Sequence, residues 1–132
     1  MKKFKLAVIS IALGLTLAAC GTAKEEADHH ESFKQITAEE AMNLMETEED
    51  YVILDVRTKE EYDEKHIKGA VLIPNETIGK DEIPELPDKD QMILVYCRSG
   101  NRSKQASEKL AQLGYTNVYE FGGINNWQGE VE

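Results

Sequence analysis

Met92-Ile93-Leu94-Val95-Tyr96-Cys97-Arg98-Ser99-Gly100-Asn101-Arg102 decides the fold. Its first residues, Met92 to Tyr96, form a continuous apolar run, the pattern of a strand buried on both faces of a sheet. The residues from Cys97 to Arg102 are mostly polar and include a glycine. From near Ser103 the apolar period changes. Ala106, Leu110 and Leu113 recur at i, i+4 and i+7, which marks one face of a helix, and Gly114 is placed to end it. A lone cysteine therefore stands at the end of a strand, in a short loop, before a helix.

The same alternation extends outward in both directions. Tyr51 to Leu54 and Ala70 to Ile73 are further continuous apolar runs, ended by Asp55-Val56-Arg57 and by Pro74. Phe33 to Ile36 reads as a short strand and Val118 to Phe121 as a last one. Thr37 with Glu40, and Thr58 with Glu61, form capping boxes that open two helices, the second running to about Glu64. Ile36 and Ala41 are placed to staple the first of these. Asn75 to Ile83 reads as a loop or short helix, and Pro84 and Pro87 mark a turn-rich link. Gly122-Gly123 reads as a tight turn, followed by a short terminal helix carrying Trp127. Buried strands alternating with helices predict an α/β domain with a largely parallel sheet. Ligands in such sheets bind beyond the carboxyl ends of the strands, where Asp55 and Cys97 both fall.

The loop favours thiolate chemistry. Backbone N–H groups at a helix start point into it, and the helix dipole favours negative charge there. Arg98 and Arg102 add positive charge. The thiolate is the nucleophilic form of cysteine, so Cys97 reads as a reactive thiol. The chain has two cysteines, and the other is spoken for. Lys2, Lys3 and Lys5 precede a mostly apolar stretch, Leu6 to Leu17, too short for a typical transmembrane helix. Leu17-Ala18-Ala19-Cys20 then resembles the lipobox of bacterial lipoproteins. That resemblance implies removal of residues 1–19 as a signal peptide and acylation of Cys20. The protein is then expected outside the cytoplasm, held to the bacterial cell membrane by lipid. Cys97 is left without a disulfide partner in the chain, and no nearby second cysteine resolves it.

Residues 20–32 are polar and charged and read as a flexible linker between lipid and domain. The adjacent His29 and His30 are weak evidence for a metal, and no metal or cofactor is expected. Residues 33–132 suffice for one domain with a modest core. The formal net charge of −10 becomes about −13 without the signal peptide. So acidic a chain is a poor nucleic-acid binder, and an anionic substrate must be attracted locally.

Four stretches in order resemble the rhodanese family of sulfurtransferases. They are Asp55-Val56-Arg57 with Glu60-Glu61-Tyr62; His66 to Ala70 with Ile73-Pro74; Cys97 to Arg102; and Gly122-Gly123 with Trp127. Lys65 stands where a glycine is frequent. The resemblance covers Phe33 to the C-terminus. It implies a rhodanese-like, five-stranded and mainly parallel sheet flanked by helices on both faces. It also implies that Cys97 accepts sulfur from a small anionic donor such as thiosulfate and passes it to a thiol or cyanide.

In that scheme the N–H groups of Arg98, Ser99, Gly100, Asn101 and Arg102 cradle the substrate. Arg98 attracts anions at the mouth, and Ser99 and Asn101 donate hydrogen bonds or hold the loop. Arg102 pairs with a carboxylate, Asp55 being the candidate. Asp55 and Arg57 support the fold, and His66, Tyr62 and Trp127 are expected to be structural. The alternatives are a sulfur carrier or binding module without catalysis, and a mercaptopyruvate-type sulfurtransferase. A cysteine-dependent phosphatase or arsenate reductase is a third, but its loop spaces cysteine and arginine by five residues. Here Arg98 to Asn101 make four.

Overall fold

The computed structural model describes residues 33–132. Cys20, the lipobox, the linker and His29-His30 lie outside them. The strands are β1 (Lys34–Gln35), β2 (Tyr51–Asp55), β3 (Val71–Leu72), β4 (Met92–Cys97) and β5 (Val118–Gly123). They form one sheet in the order β1-β5-β4-β2-β3, with every neighbouring pair parallel. The apolar runs of β2 and β4 lie side by side, from Tyr51 opposite Met92 to Asp55 opposite Tyr96. That register brings the ends of β2 and β4 to the same edge, one residue apart.

Alternate residues of the strands face opposite layers. Leu54, Ile93, Val95, Cys97 and Val118 pack with Ala106 and Leu110 of helix α3 (Asn101–Gln112) and with Ile78, Ile83 and Leu86 of the long connection. Ile53, Leu94, Tyr96 and Phe121 face the other way, toward Ala41 of α1 (Ala38–Thr47) and Tyr62 of α2 (Lys59–Glu64). The helices thus cover both faces, as a sheet built from apolar runs requires. Leu110, fully buried, illustrates the driving force: burial of a side chain of that size contributes about 1.5–3 kcal/mol. Both capping boxes form, with Thr37 and Thr58 each exchanging hydrogen bonds with the glutamate three residues on. Ile36 and Ala41 join the same apolar cluster, as a staple would place them.

The structure corrects the reading at several boundaries. α3 begins at Asn101, not near Ser103, because Gly100 at φ 117° caps it from the left-handed region with no side-chain bond. The Gly100 carbonyl accepts the Lys104 N–H at 3.2 Å, so Arg102 and Ser103 belong to the first turn. Gly122-Gly123 is not a turn: both residues end β5, where Gly123 pairs with Cys97 beyond a bulge. A single 3-10 turn, Ile124–Asn126, follows, and Trp127 comes just after it. β1 and β3 are shorter than the stretches Phe33 to Ile36 and Ala70 to Ile73. The last residues return to the body of the domain. His66 and Glu132 exchange backbone hydrogen bonds of 3.0 and 2.8 Å, and Ile67 bridges Val131 antiparallel.

Candidate active site

Cys97 ends β4 with 1% of its surface exposed. Its Sγ accepts the Gly100 N–H at 3.0 Å and lies 3.4 Å from Ser103 Oγ. Just after that amide the chain turns into α3 through Gly100 at positive φ, a conformation closed to most side chains. The loop is held from behind by β5. Asn125 N–H bonds the Arg98 carbonyl at 3.3 Å, and Gly123 abuts the Arg98–Ser99 peptide so closely that no side chain fits there. The sulfur therefore sits at the N-terminus of a twelve-residue helix, under an amide donor, in the geometry that stabilises an anion.

Arg98, Ser99 and Asn101 are exposed, while Gly100 is buried. Arg98 lines a cleft of about 370 Å³ with Arg57, Glu61, Lys65 and Trp127. Arg102 does pair with a carboxylate, but the carboxylate is Glu61 and not Asp55. Its guanidinium holds both Glu61 oxygens, at 2.7 and 3.1 Å. Asp55 is already saturated. It accepts from the Arg57 backbone at 3.0 Å, from Arg57 Nε and Nη2 at 2.9 and 2.7 Å, and from the Tyr96 hydroxyl at 2.5 Å. Arg57 also reaches the Lys65 carbonyl at 2.7 Å, so this buried pair braces the loop after β2. The Arg102 hydrogen bond holds the Glu61 carboxyl down at about 2, against a smaller opposing effect of burial. In return the hydrogen bond to Glu61 raises Arg102. Burial, then the bond to Asp55, pushes the Tyr96 hydroxyl above its usual range. His66 stacks on Tyr62 at 3.7 Å and bonds its carbonyl through Nδ1 at 2.8 Å, a structural role.

Residues 37–130 match the family model described as a rhodanese-like domain. The chain belongs to that family. Among curated relatives, the thiosulfate sulfurtransferase PspE of Escherichia coli (strain K12) is 38% identical over 73 residues, 55% of this chain and 70% of that protein. The thiosulfate sulfurtransferase GlpE of Actinobacillus succinogenes is 36% identical over 98 residues, 74% of this chain and 86% of that protein. The crystal structure of a rhodanese-like domain protein from Staphylococcus aureus superposes with a TM-score of 0.62 at 33% identity, covering 75% of this chain and 96% of that one.

Behind the rhodanese-like loop, Ser103 joins Cys97 to Glu120, a contact the sequence does not reveal. Ser103 Oγ lies 2.5 Å from Glu120 Oε2, and the same carboxylate oxygen accepts the Gly122 N–H at 2.9 Å. Both side chains are almost wholly buried. A signal was present: Glu120 is an acidic residue inside the apolar run Val118 to Phe121. Glu61 was read only as a helix cap, whereas it caps α2 and binds Arg102 at once.

Proposed function

We propose that this chain is a sulfurtransferase that carries sulfane sulfur as a persulfide on Cys97. The observation that carries the reading is the Gly100 N–H directed at Cys97 Sγ from the start of α3. That donor and the helix dipole favour a thiolate, and they then favour the terminal sulfur anion of a persulfide. The thiolate attacks the outer sulfur of a donor such as thiosulfate. A new S–S bond forms, the donor's S–S bond breaks, and sulfite leaves with the electron pair. A thiol or cyanide then attacks the outer sulfur and releases Cys97. Splitting the transfer this way produces ping-pong kinetics. Arg98, exposed and lining the cleft, supplies the attraction for an anion. The names of the two sulfurtransferase relatives support the same chemistry. The loop spacing counts against a phosphatase, since four residues, Arg98 to Asn101, separate Cys97 from Arg102 where a phosphatase loop has five. We also read Cys20 as the lipid-bearing first residue of an extracytoplasmic form, on the order of charges, apolar run and small residues before it.

Intact-mass measurement tests both readings. Incubation with thiosulfate should add about 32 Da, cyanide should remove it, and Cys97→Ser should abolish the gain. Phosphatase turnover without that adduct would sink the proposal. Protein extracted from membranes of the producing bacterium should lack residues 1–19 and carry acyl mass at Cys20. An unprocessed, unacylated chain there rejects the anchor.

A further inference from the structure

Glu120 is 2% exposed, on β5 between β1 and β4. Burial of a carboxylate is costly unless a cation or several donors compensate it. None of the salt bridges among the described residues includes Glu120. Its bonds come from one hydroxyl and one amide, those of Ser103 and Gly122. A residue placed only for stability in that run would be apolar.

Ser103 links this carboxylate to the sulfur. Its hydroxyl has a single proton, and the shortest of its contacts is the one to Glu120, at 2.5 Å. The carbonyls of Gly100 and Gly122, at 2.9 and 3.3 Å, are weaker competitors for that proton than a charged acceptor. With the proton directed at Glu120, an Oγ lone pair is free to accept the Cys97 S–H at 3.4 Å. Sγ, Oγ and Oε2 then form a continuous donor–acceptor chain that ends on a base.

We infer that Glu120, acting through Ser103, takes up the thiol proton of Cys97. The S–H bond breaks and its electron pair stays on Sγ. The proton passes to Ser103 Oγ, while the hydroxyl's own proton passes to Glu120 Oε2. Nothing is oxidised or reduced. The buried site carries one negative charge before and after the shift, so a thiolate forms without facing a second anion. Gly100 N–H then holds the thiolate. Glu120 is thus a positioning residue and proton store, and Ser103 is the group in contact with the reacting sulfur.

Of the other charged groups around the site, those of α3 and β2 are paired among the described residues and Arg98 is not. Arg102 of α3 acts on Cys97 through its field and is bound by Glu61 of α2. Asp55 of β2 is bound by Arg57. Arg98 of the loop is exposed, and Lys34 of β1 lies over the Tyr119 ring.

The inference rests on the reading of Cys97 as the nucleophile, and its test is independent of sulfur loading. Iodoacetamide alkylation of the full chain is followed against pH, with Cys97 separated from Cys20 by peptide mass spectrometry. Glu120→Gln keeps the shape and removes the base, and it should move the alkylation midpoint up by about one pH unit. Ser103→Ala should move it by a similar amount. The double variant should move it no further, because both act in one chain of transfer. If Glu120 were only a nearby negative charge, Glu120→Gln would lower the midpoint instead, and that result overturns the relay. An unchanged midpoint in a variant with native thermal unfolding also overturns it. Should Glu120→Gln fail to fold, Ser103→Ala, which deletes one oxygen, decides by the same criterion. A chain that shows the shift but gains no mass from thiosulfate rejects the persulfide and leaves the relay standing.

Discussion

At Gly123 the active-site loop and the end of β5 meet backbone to backbone. A Cβ built there overlaps the Arg98 carbonyl and stands 2.7 Å from Ser99 N. Neither obstacle is the movable end of a side chain, so Gly123→Ala must push the loop away from β5. Overpacking of this kind costs about 1–3 kcal/mol. The displaced peptide leads directly into Gly100, whose N–H faces the sulfur. Gly123→Ala is therefore expected to lower the denaturation midpoint modestly and to slow sulfur loading from thiosulfate by tenfold or more, on the order of 1.4 kcal/mol in the barrier. Loading at the wild-type rate in the folded variant would show that the contact does not set the loop. The sequence marks Gly122-Gly123 as special but suggests a turn, because a close approach from a distant loop leaves no local signature. Glu120 differs: an acid inside an apolar run is visible in the sequence, and only its partner, Ser103, needed three dimensions.

The elements themselves were more legible than the links between them. Apolar runs, capping boxes and the i, i+4, i+7 face located α1, α2, α3 and the strands, because those signals are local in the chain. The link from α2 to α3 is hidden for the opposite reason. The sequence offers Asp55 as a candidate partner for Arg102, yet Glu61, 41 positions away from Arg102, holds it. The capping box puts Glu61 in the first turn of α2, and the early start of α3 puts Arg102 in its first turn. The pair thus pins two helix starts together across the edge of the sheet. It also has a pH signature. The Glu61 carboxyl is held at about 2 in the folded chain, mainly by Arg102, against about 4.3 when unfolded. Because the folded value is the lower one, the stabilisation is full above the unfolded value and fades as pH falls toward the folded one. Arg102 is 33% and Glu61 23% exposed, so solvent screening reduces the contribution to about 1–2 kcal/mol. Glu61→Gln retains a capping side chain and loses the charge. In urea titrations its deficit relative to wild type should be constant from pH 7 to about pH 5 and shrink between pH 5 and 3. A deficit independent of pH would assign Glu61 to capping alone.

Strand order and charge distribution belong to the whole molecule, and they bear on how an acidic chain would draw in the anionic donor proposed above. Strand order was not legible in the sequence. The pattern specified a parallel α/β class, but β1-β5-β4-β2-β3 arises from long-range pairing, as does the return of Glu132 to His66. This order puts β4 in the centre of the sheet, and Arg98 of its loop lines the cleft together with Arg57, Lys65, Glu61, Glu64 and Trp127. The net charge of −10 creates a field that opposes any dianion approaching from solution. Arg57 is neutralised by Asp55 and Arg102 by Glu61, which leaves Arg98, exposed and next to Cys97 in the chain, as the loop's cation without an ion-pair partner among the described residues. Two opposing fields then act on thiosulfate, a molecular repulsion and a local attraction, and salt screens both. Removal of Arg98 leaves the repulsion alone. Arg98→Ala should therefore lower kcat/KM for thiosulfate about tenfold at low ionic strength, the scale of one unit charge acting on a dianion through largely aqueous surroundings. The deficit should narrow as ionic strength rises toward about 0.5 M. Alkylation by uncharged iodoacetamide, which feels neither field, should fall much less. A deficit that ignores salt, or that appears equally with iodoacetamide, would mean that Arg98 shapes the loop instead of drawing the anion in.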